Sequence, residues 1–293
     1  METRSRETSK YRLRVVGAMI IWGTIGIFVR EISLRPIEIA FYRSFIGFAS
    51  ISLLTLFRRE SFDTGNIKEN IMALLGSGAS LGLGWALLFQ GYKYTSISNA
   101  TLAYYIAPII IIIMSAVLLK ERITARKLAC VVAAMVGLGL IVRSNELTSI
   151  HYNHKLGIFF ALGGGFFYAS LVIINKYVRG LPSSIITIIQ LFMAAFVLLP
   201  YILVEGTAIG SLDTRSLVFL LIVGIVHTAT AYIIYLSAVG HLEGQSLAIL
   251  SYIDPIVALI LSGLILKETM TLVQILGGLM ILAAAFFSEY RRE

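Results

Sequence analysis

Thr101 to Glu121 reads TLAYYIAPIIIIIMSAVLLKE, and Ala248 to Glu268 reads AILSYIDPIVALILSGLILKE. Laid on each other without a gap, they place Tyr105, Pro108, Lys120 and Glu121 over Tyr252, Pro255, Lys267 and Glu268. Between proline and lysine each block is almost wholly apolar. A hydrocarbon core about 30 Å thick asks for about 20 residues of helix, which each block supplies. Strands of an outer-membrane barrel alternate apolar and polar positions, whereas Ile109 to Ile113 is an unbroken run of isoleucine. The pair therefore predicts helices, and a chain made by duplicating a membrane-spanning unit.

Outward from these blocks the same punctuation divides the chain into ten expected helices. They run from Val15 to Val29, Ile37 to Phe57, Ile71 to Tyr92, Ile97 to Leu119, Leu128 to Val142, Leu156 to Tyr177, Ser184 to Val204, Leu217 to Ala238, Gly244 to Leu266, and Leu272 to Ser288. The composition agrees: 58% of the 293 residues are apolar and 14% charged, against roughly 25% charged in a soluble domain. The net charge of +8 would fit a nucleic-acid binder, but its distribution points to topology. With the N-terminus inside, Arg4, Arg6, Lys10, Arg12, Arg14, Arg58, Arg59, Lys120, Arg122, Arg126, Lys127, Lys176 and Arg179 all fall on one side. The other side holds far fewer, among them Arg30, Arg35, Lys93 and Lys155. Positive charge stays in the cytoplasm, so a multi-pass protein of the plasma (inner) membrane with both termini cytoplasmic is expected. The basic N-terminus resembles a signal peptide but lacks a small-residue cleavage pattern, and is read as an uncleaved first helix. The single cysteine, Cys130, excludes an intramolecular disulfide and a cysteine-clustered metal site.

Nearly the same spacing links Pro36 with Pro182, and Trp22 through Arg30 with Tyr168 through Lys176. The duplication thus spans the chain, residues 1–145 and 146–293 forming one five-helix repeat each. An odd number of spans makes the second copy enter from the opposite side, so the repeats are inverted, a common basis for alternating access. On these features (Trp22-Gly23, Arg43, and the blocks Pro108 to Glu121 and Pro255 to Glu268) the sequence resembles the EamA-type families of the drug/metabolite transporter superfamily. The resemblance covers essentially the whole chain and implies an exporter or importer of amino acids, nucleotide-related metabolites, amines or drugs. It departs in two places: the second block more often begins Glu-Pro, where this chain has Asp254-Pro255, and both blocks more often end Gly-Glu, where it has Lys-Glu.

Ionisable groups in the hydrocarbon region cost roughly 2.5 to 3.5 kcal/mol each and need a reason. Asp254 falls near the middle of helix nine, in line with Ser251, Ala258 and Ser262. It is the expected proton-coupling group, or else a structural partner for a cation or for backbone freed by Pro255. Arg43 shares a face with Ala40, Gly47 and Ser50, and either neutralises Asp254 or Glu38 or binds a substrate carboxylate. His227 lies with Gly224, Ala231 and Tyr235, a satisfied buried histidine or a second coupling group whose ordinary pKa is near 6.5. Trp22, Trp85, Tyr104, Tyr105, Tyr168, Tyr232 and Tyr252 are aromatic residues away from at least one helix end. Interfacial anchoring explains such residues at helix ends, so here they pack the bundle or line a substrate cavity. Pro108 and Pro255 interrupt helices four and nine at matching depths and are expected hinges. Gly76, Gly78, Gly82 and Gly84, with Gly163 to Gly165, suit close helix contact; no phosphate-loop setting surrounds them.

The expected partners are a small-molecule substrate, the lipid bilayer and protons, with no nucleic acid, cofactor or metal, and a monomer or weak dimer as the assembly. A secondary carrier, most simply an exporter of an amino acid or amine, is the leading reading. Against it stand an intramembrane enzyme using His227 with Ser77, Ser80 or Ser251, for which no nucleophile motif is visible, and a membrane sensor, for which no output domain is.

Overall fold

A computed structural model of the chain describes residues 2–57, 64–118, 120, 125–145, 153–239, 250, 253–265, 267 and 271–289. The described residues form helices and no strands: α1 (Glu2–Arg30), α2 (Pro36–Phe57), α3 (Thr64–Tyr94), α4 (Ile97–Tyr104), α5 (Ala107–Leu118), α6 (Ala125–Asn145), α7 (His154–Asn175), α8 (Ser183–Glu205), α9 (Thr214–Gly224), α10 (Ala231–Val239), α11 (Ile253–Leu264) and α12 (Leu272–Glu289). A π-helical turn, Ile225–Thr230, joins α9 to α10. In lipid every backbone polar group must be satisfied within the chain, which apolar sequences of this length achieve as helices. Among the described residues six helices are long and apolar enough to cross a membrane, and shorter apolar helices lie at Asn99–Ile111, Leu128–Leu140 and Leu272–Ala284. The chain is an all-helical, multi-pass membrane protein.

Several boundaries differ from those expected. The first helix starts at Glu2 and the third at Thr64, since polar flanks prolong a helix that an apolar count cuts short. The fourth expected helix is two, α4 and α5, parted at Tyr105 and Ile106. Pro108 has no N–H to return to the Tyr104 carbonyl, so the α4 ladder cannot run through it. Pro255 likewise falls in the first turn of α11, where a missing N–H costs nothing. The N-terminal part of the ninth expected helix lies mostly outside the described residues.

The packing follows an exchange rule. Helix α7 packs on α3, α4 and α5, while α1 packs on α10, α9 and α11. Helix α3 also meets α8, and α2 meets α9 and the π turn; α2 pairs with α8, and α6 with α12. Exchanging the first five expected helices for the second five turns each of these contacts into another, or into itself. The links at the helix ends obey the same rule. Ser33 N donates to Ser216 Oγ at 3.1 Å, and Arg179 N donates to Asn70 Oδ1 at 2.9 Å, a contact between corresponding positions. Ser33 precedes α2 and Asn70 lies just beyond its far end, and a helix of 22 residues is about 33 Å long.

Close approach is glycine-mediated. A Cβ added to Gly82 would lie 2.7 Å from the Ala194 carbonyl oxygen, and one on Gly164 would lie 3.0 Å from that of Gly84. Gly78 and Gly165 are as tightly faced by α8 and by Tyr104, whereas Gly76 makes only ordinary contact with Ile174. Each repeat also ends its Pro-to-Lys block in the left-handed region: φ is +57° at Lys120 and +52° at Lys267. A left-handed residue just past a helix end is the position glycine normally takes. That accounts for the Gly-Glu ending from which this sequence departs.

Candidate functional site

The interior site is built where α2 and the π turn meet. Gly47 on α2 is so close to Thr228 that an added Cβ would lie 2.6 Å from its methyl group. One turn earlier Arg43, 2% exposed, extends its guanidinium under the same element. Arg43 Nε donates to Thr228 Oγ1 at 3.0 Å, and the Thr228 hydroxyl donates to the Val223 carbonyl at 2.9 Å. The guanidinium lies 3.7 Å from the Trp85 ring centre and 5.4 Å from that of Phe89, a cation–π arrangement strengthened by the dry surroundings. Tyr232, Tyr104 and Tyr92 are its electrostatic neighbours. Among the described residues no carboxylate lies within 4 Å of it, and its two Nη groups donate to no described acceptor. The expected neutralisation by Asp254 or Glu38 is therefore not made. Glu38 accepts instead from Arg35 Nε at 2.9 Å and from the Ala208 amide at 2.9 Å.

His227 is held on every side. Its Nε2 is 2.8 Å from Thr24 Oγ1, its Nδ1 3.4 Å from the Ile222 carbonyl, and its own carbonyl accepts from Trp22 Nε1 at 2.8 Å. The Phe28 ring centre is 4.9 Å away. No described serine bonds to the ring, and Ser77 accepts from Gln190 Nε2 at 2.9 Å.

Trp22 and Gly23 adjoin the other ionisable group. An added Cβ on Gly23 would lie 2.7 Å from the Asp254 carbonyl oxygen, which brings α1 against the start of α11. The Asp254 carboxylate accepts a hydrogen bond from the Tyr105 hydroxyl, at the break between α4 and α5. Asp254 is in the first turn of α11, where amide dipoles favour negative charge. Rings cluster beside each group: Tyr104 lies 5.9 Å from Tyr105 and 5.6 Å from Tyr168, and Tyr232 lies 5.2 Å from Trp22 and 6.1 Å from Trp85. Tyr104, Tyr105, Tyr168, Tyr232 and Asp254 are half-buried inside the bundle.

The structure thus brings together Trp22, Arg43, Trp85, Tyr104, Tyr105, Tyr168, His227, Tyr232 and Asp254. Tyr252 lies outside the described residues, as does Ser251; of Pro108 only the backbone is described. Thr228, Thr24, Phe89 and Tyr92 were not anticipated, because nothing local in sequence marks a threonine or phenylalanine as an arginine's neighbour. Polar links join the halves crosswise within this site: Arg43 of the first to Thr228 of the second, Trp22 and Thr24 of the first to His227 of the second, and Asp254 of the second to Tyr105 of the first.

A hollow of about 750 Å³ opens at the Ser33 end and is lined by residues that include Arg35, Glu38, Lys93, Glu205 and Thr207. Arg35 Nη2 donates to the Gly206 carbonyl at 2.5 Å. Together with the Glu38–Ala208 bond this straps the segment after α8 to the start of α2.

Comparison with known proteins bears on the whole chain. Residues 11–143 and 155–290 each match the EamA-like transporter family. An "Uncharacterized transporter YxxF" of Bacillus subtilis (strain 168) is 25% identical over 99% of this chain and 92% of its own length. An "Uncharacterized transporter" of Archaeoglobus fulgidus is 28% identical over 94% of each. A "Probable amino-acid metabolite efflux pump" of Salmonella typhimurium is 25% identical over 76% of this chain and 78% of its own. One solved protein crystal structure superposes with a TM-score of 0.66 over 95% of this chain and 96% of the other at 17% identity, a likeness of fold.

Proposed function

The chain belongs to the EamA-like transporter family, and from that premise we propose that it is a secondary carrier of the plasma membrane that exports a small organic metabolite of the amino acid or amine class. Ten spans arranged as two inverted five-helix repeats, residues 1–145 and 146–293, would carry it by alternating access. Support for inversion comes from the corresponding contacts Ser33–Ser216 and Arg179–Asn70, which lie at opposite ends of α2. The relative named an amino-acid metabolite efflux pump supports the substrate class.

The observation that carries the reading is Arg43. A buried guanidinium that, among the described residues, donates through one of its five N–H groups and faces no carboxylate is costly to maintain. A substrate carboxylate would supply the missing counter-charge through a bidentate pair. Stacking on Trp85 holds the guanidinium plane for that pairing, and tyrosines from both halves offer ring faces and hydroxyls to the rest of the molecule. Asp254, hydrogen-bonded to Tyr105 across the halves, is placed to hold an amine or carry a proton as that link breaks and re-forms. Purified protein in liposomes, tested with labelled amino acids, amines and nucleobases with and without a pH gradient, decides the matter. Flux of an amino acid that Arg43→Met abolishes is expected, and absence of flux for the whole panel would refute the proposal. Asp254→Asn should remove the pH dependence; an unchanged rate and pH dependence would exclude Asp254 from coupling.

A further inference from the structure

The repeats differ by one residue, and the place of that residue can be read from the structure. Pro36 and Pro182, Asn70 and Ser216, and Gly78 and Gly224 stand 146 positions apart; Trp85 and Tyr232, Tyr105 and Tyr252, and Lys120 and Lys267 stand 147 apart. Several of these pairs, all among the described residues, are structural counterparts as well. Asn70 holds Arg179 as Ser216 holds Ser33, and Gly78 meets α8 as Gly224 meets α2. Trp85 and Tyr232 touch, and the two lysines share the left-handed backbone. The extra residue therefore enters between Gly224 and Tyr232, which is where the π turn Ile225–Thr230 lies. A π turn is what one inserted residue makes of an α-helix, and such turns concentrate at functional sites.

Its effect is local. The turn lets side chains reach carbonyls five residues back: the Thr228 hydroxyl bonds Val223 O, and His227 Nδ1 faces Ile222 O. Thr228 Oγ1, fixed in this way with its proton committed to Val223, presents a lone pair to Arg43 Nε. Trp22 grips the neighbouring carbonyl of His227.

We propose that Thr228, set by the π turn, is a positioning residue. It anchors Arg43 through Nε so that both Nη groups, which donate to no described acceptor, are turned toward a substrate carboxylate. The one-residue insertion thereby makes the acid-recognising end of the site the property of a single pair, α2 and the π turn, with no copy in the symmetry-related place. This role rests on the carrier reading given above.

The test uses L-phenylalanine and its decarboxylated counterpart, 2-phenylethylamine, as labelled probes in liposomes. Thr228→Val should raise KM for the acid about tenfold, as expected on loss of one hydrogen bond to a charged group, with kcat and the KM of the amine little changed. Thr228→Ser should restore the acid's KM. Equal changes for acid and amine, or no rescue by serine, would overturn the proposal. A second measurement needs no substrate. In a Trp22→Phe background Trp85 is the single tryptophan, and its emission reports the guanidinium stacked on it. Thr228→Val should shift that emission and Thr228→Ser should not; unchanged emission in the valine variant would also overturn the role. If the unsubstituted protein moves neither probe, the amino-acid reading fails while the emission result still decides for or against Thr228.

Discussion

Replacing Lys120 and Lys267 by glycine should stabilise the protein. Both lysines are exposed and hold φ near +55°, where an L-residue pays roughly 1–2 kcal/mol for the contact of Cβ with the following carbonyl. Glycine avoids that contact but has more freedom to lose, about 0.5–1 kcal/mol. The difference leaves about 0.5–1 kcal/mol per site. The sites close different repeats and share no described partner, so the gains should add. At roughly 2–4 °C per kcal/mol for a chain of this size, the double variant should melt about 4 °C higher. Cys130, the single cysteine and buried at 7% exposure, provides the assay: a thiol-reactive dye in detergent solution fluoresces as heating uncovers it. Alanine at both positions retains Cβ while removing the charge, and should leave the midpoint near that of the unsubstituted protein. If alanine stabilises as much as glycine, the effect belongs to charge and the strain argument fails; if glycine lowers the midpoint, it fails outright.

Other expectations follow from particular contacts. Gly82→Val places Cβ 2.7 Å from a backbone oxygen of α8 that cannot swing aside, and should destabilise by about 1–3 kcal/mol, read with the same dye. Glu38→Gln weakens the acceptor shared by Arg35 and the Ala208 amide, so hydrogen exchange at Ala208 should quicken while exchange in α3 stays slow. Asp213 caps α9, and its hydrogen bond with Ser216 holds its carboxyl below the ordinary aspartate range. The cap's contribution is then complete above the unfolded value near 3.9 and is lost only as pH falls through the lower folded value. Exchange at the Ser216 amide should therefore stay protected at pH 4, and early loss of protection would contradict the cap.

Much of the architecture was legible because membrane helices announce themselves by length and apolarity, and because duplication printed the same marks twice. Arg43, Trp85, Tyr232 and Asp254 could be picked out since a charge or a mid-span aromatic needs a reason in lipid. The break at Tyr105 and Ile106 was written in Pro108, but an apolar count runs straight through a proline. The pairing of Glu38 with Arg35 was missed because the two lie in one turn at a helix start, where proximity in sequence mattered more than depth in the bilayer. The π turn left a trace, the step from 146 to 147 in the spacing of the repeats, yet only the contacts of Asn70, Ser216 and Gly224 locate it. Thr228 follows from that step and from nothing else in its neighbourhood.

The glycine face of α3 has a consequence for how the chain is made. Gly82 and Gly84 bring α3 onto backbone atoms of α8 and α7, elements that come from the other repeat and emerge from the ribosome some 70 to 110 residues later. Until then α3 sits in the membrane with a bare, groove-like surface, and packing between small residues is what drives association there. Neither repeat contains the partner its own third helix needs, so a chain cut between them yields two fragments that must find each other in the bilayer. Assembly is thus a late event, governed by the arrival of α7 and α8.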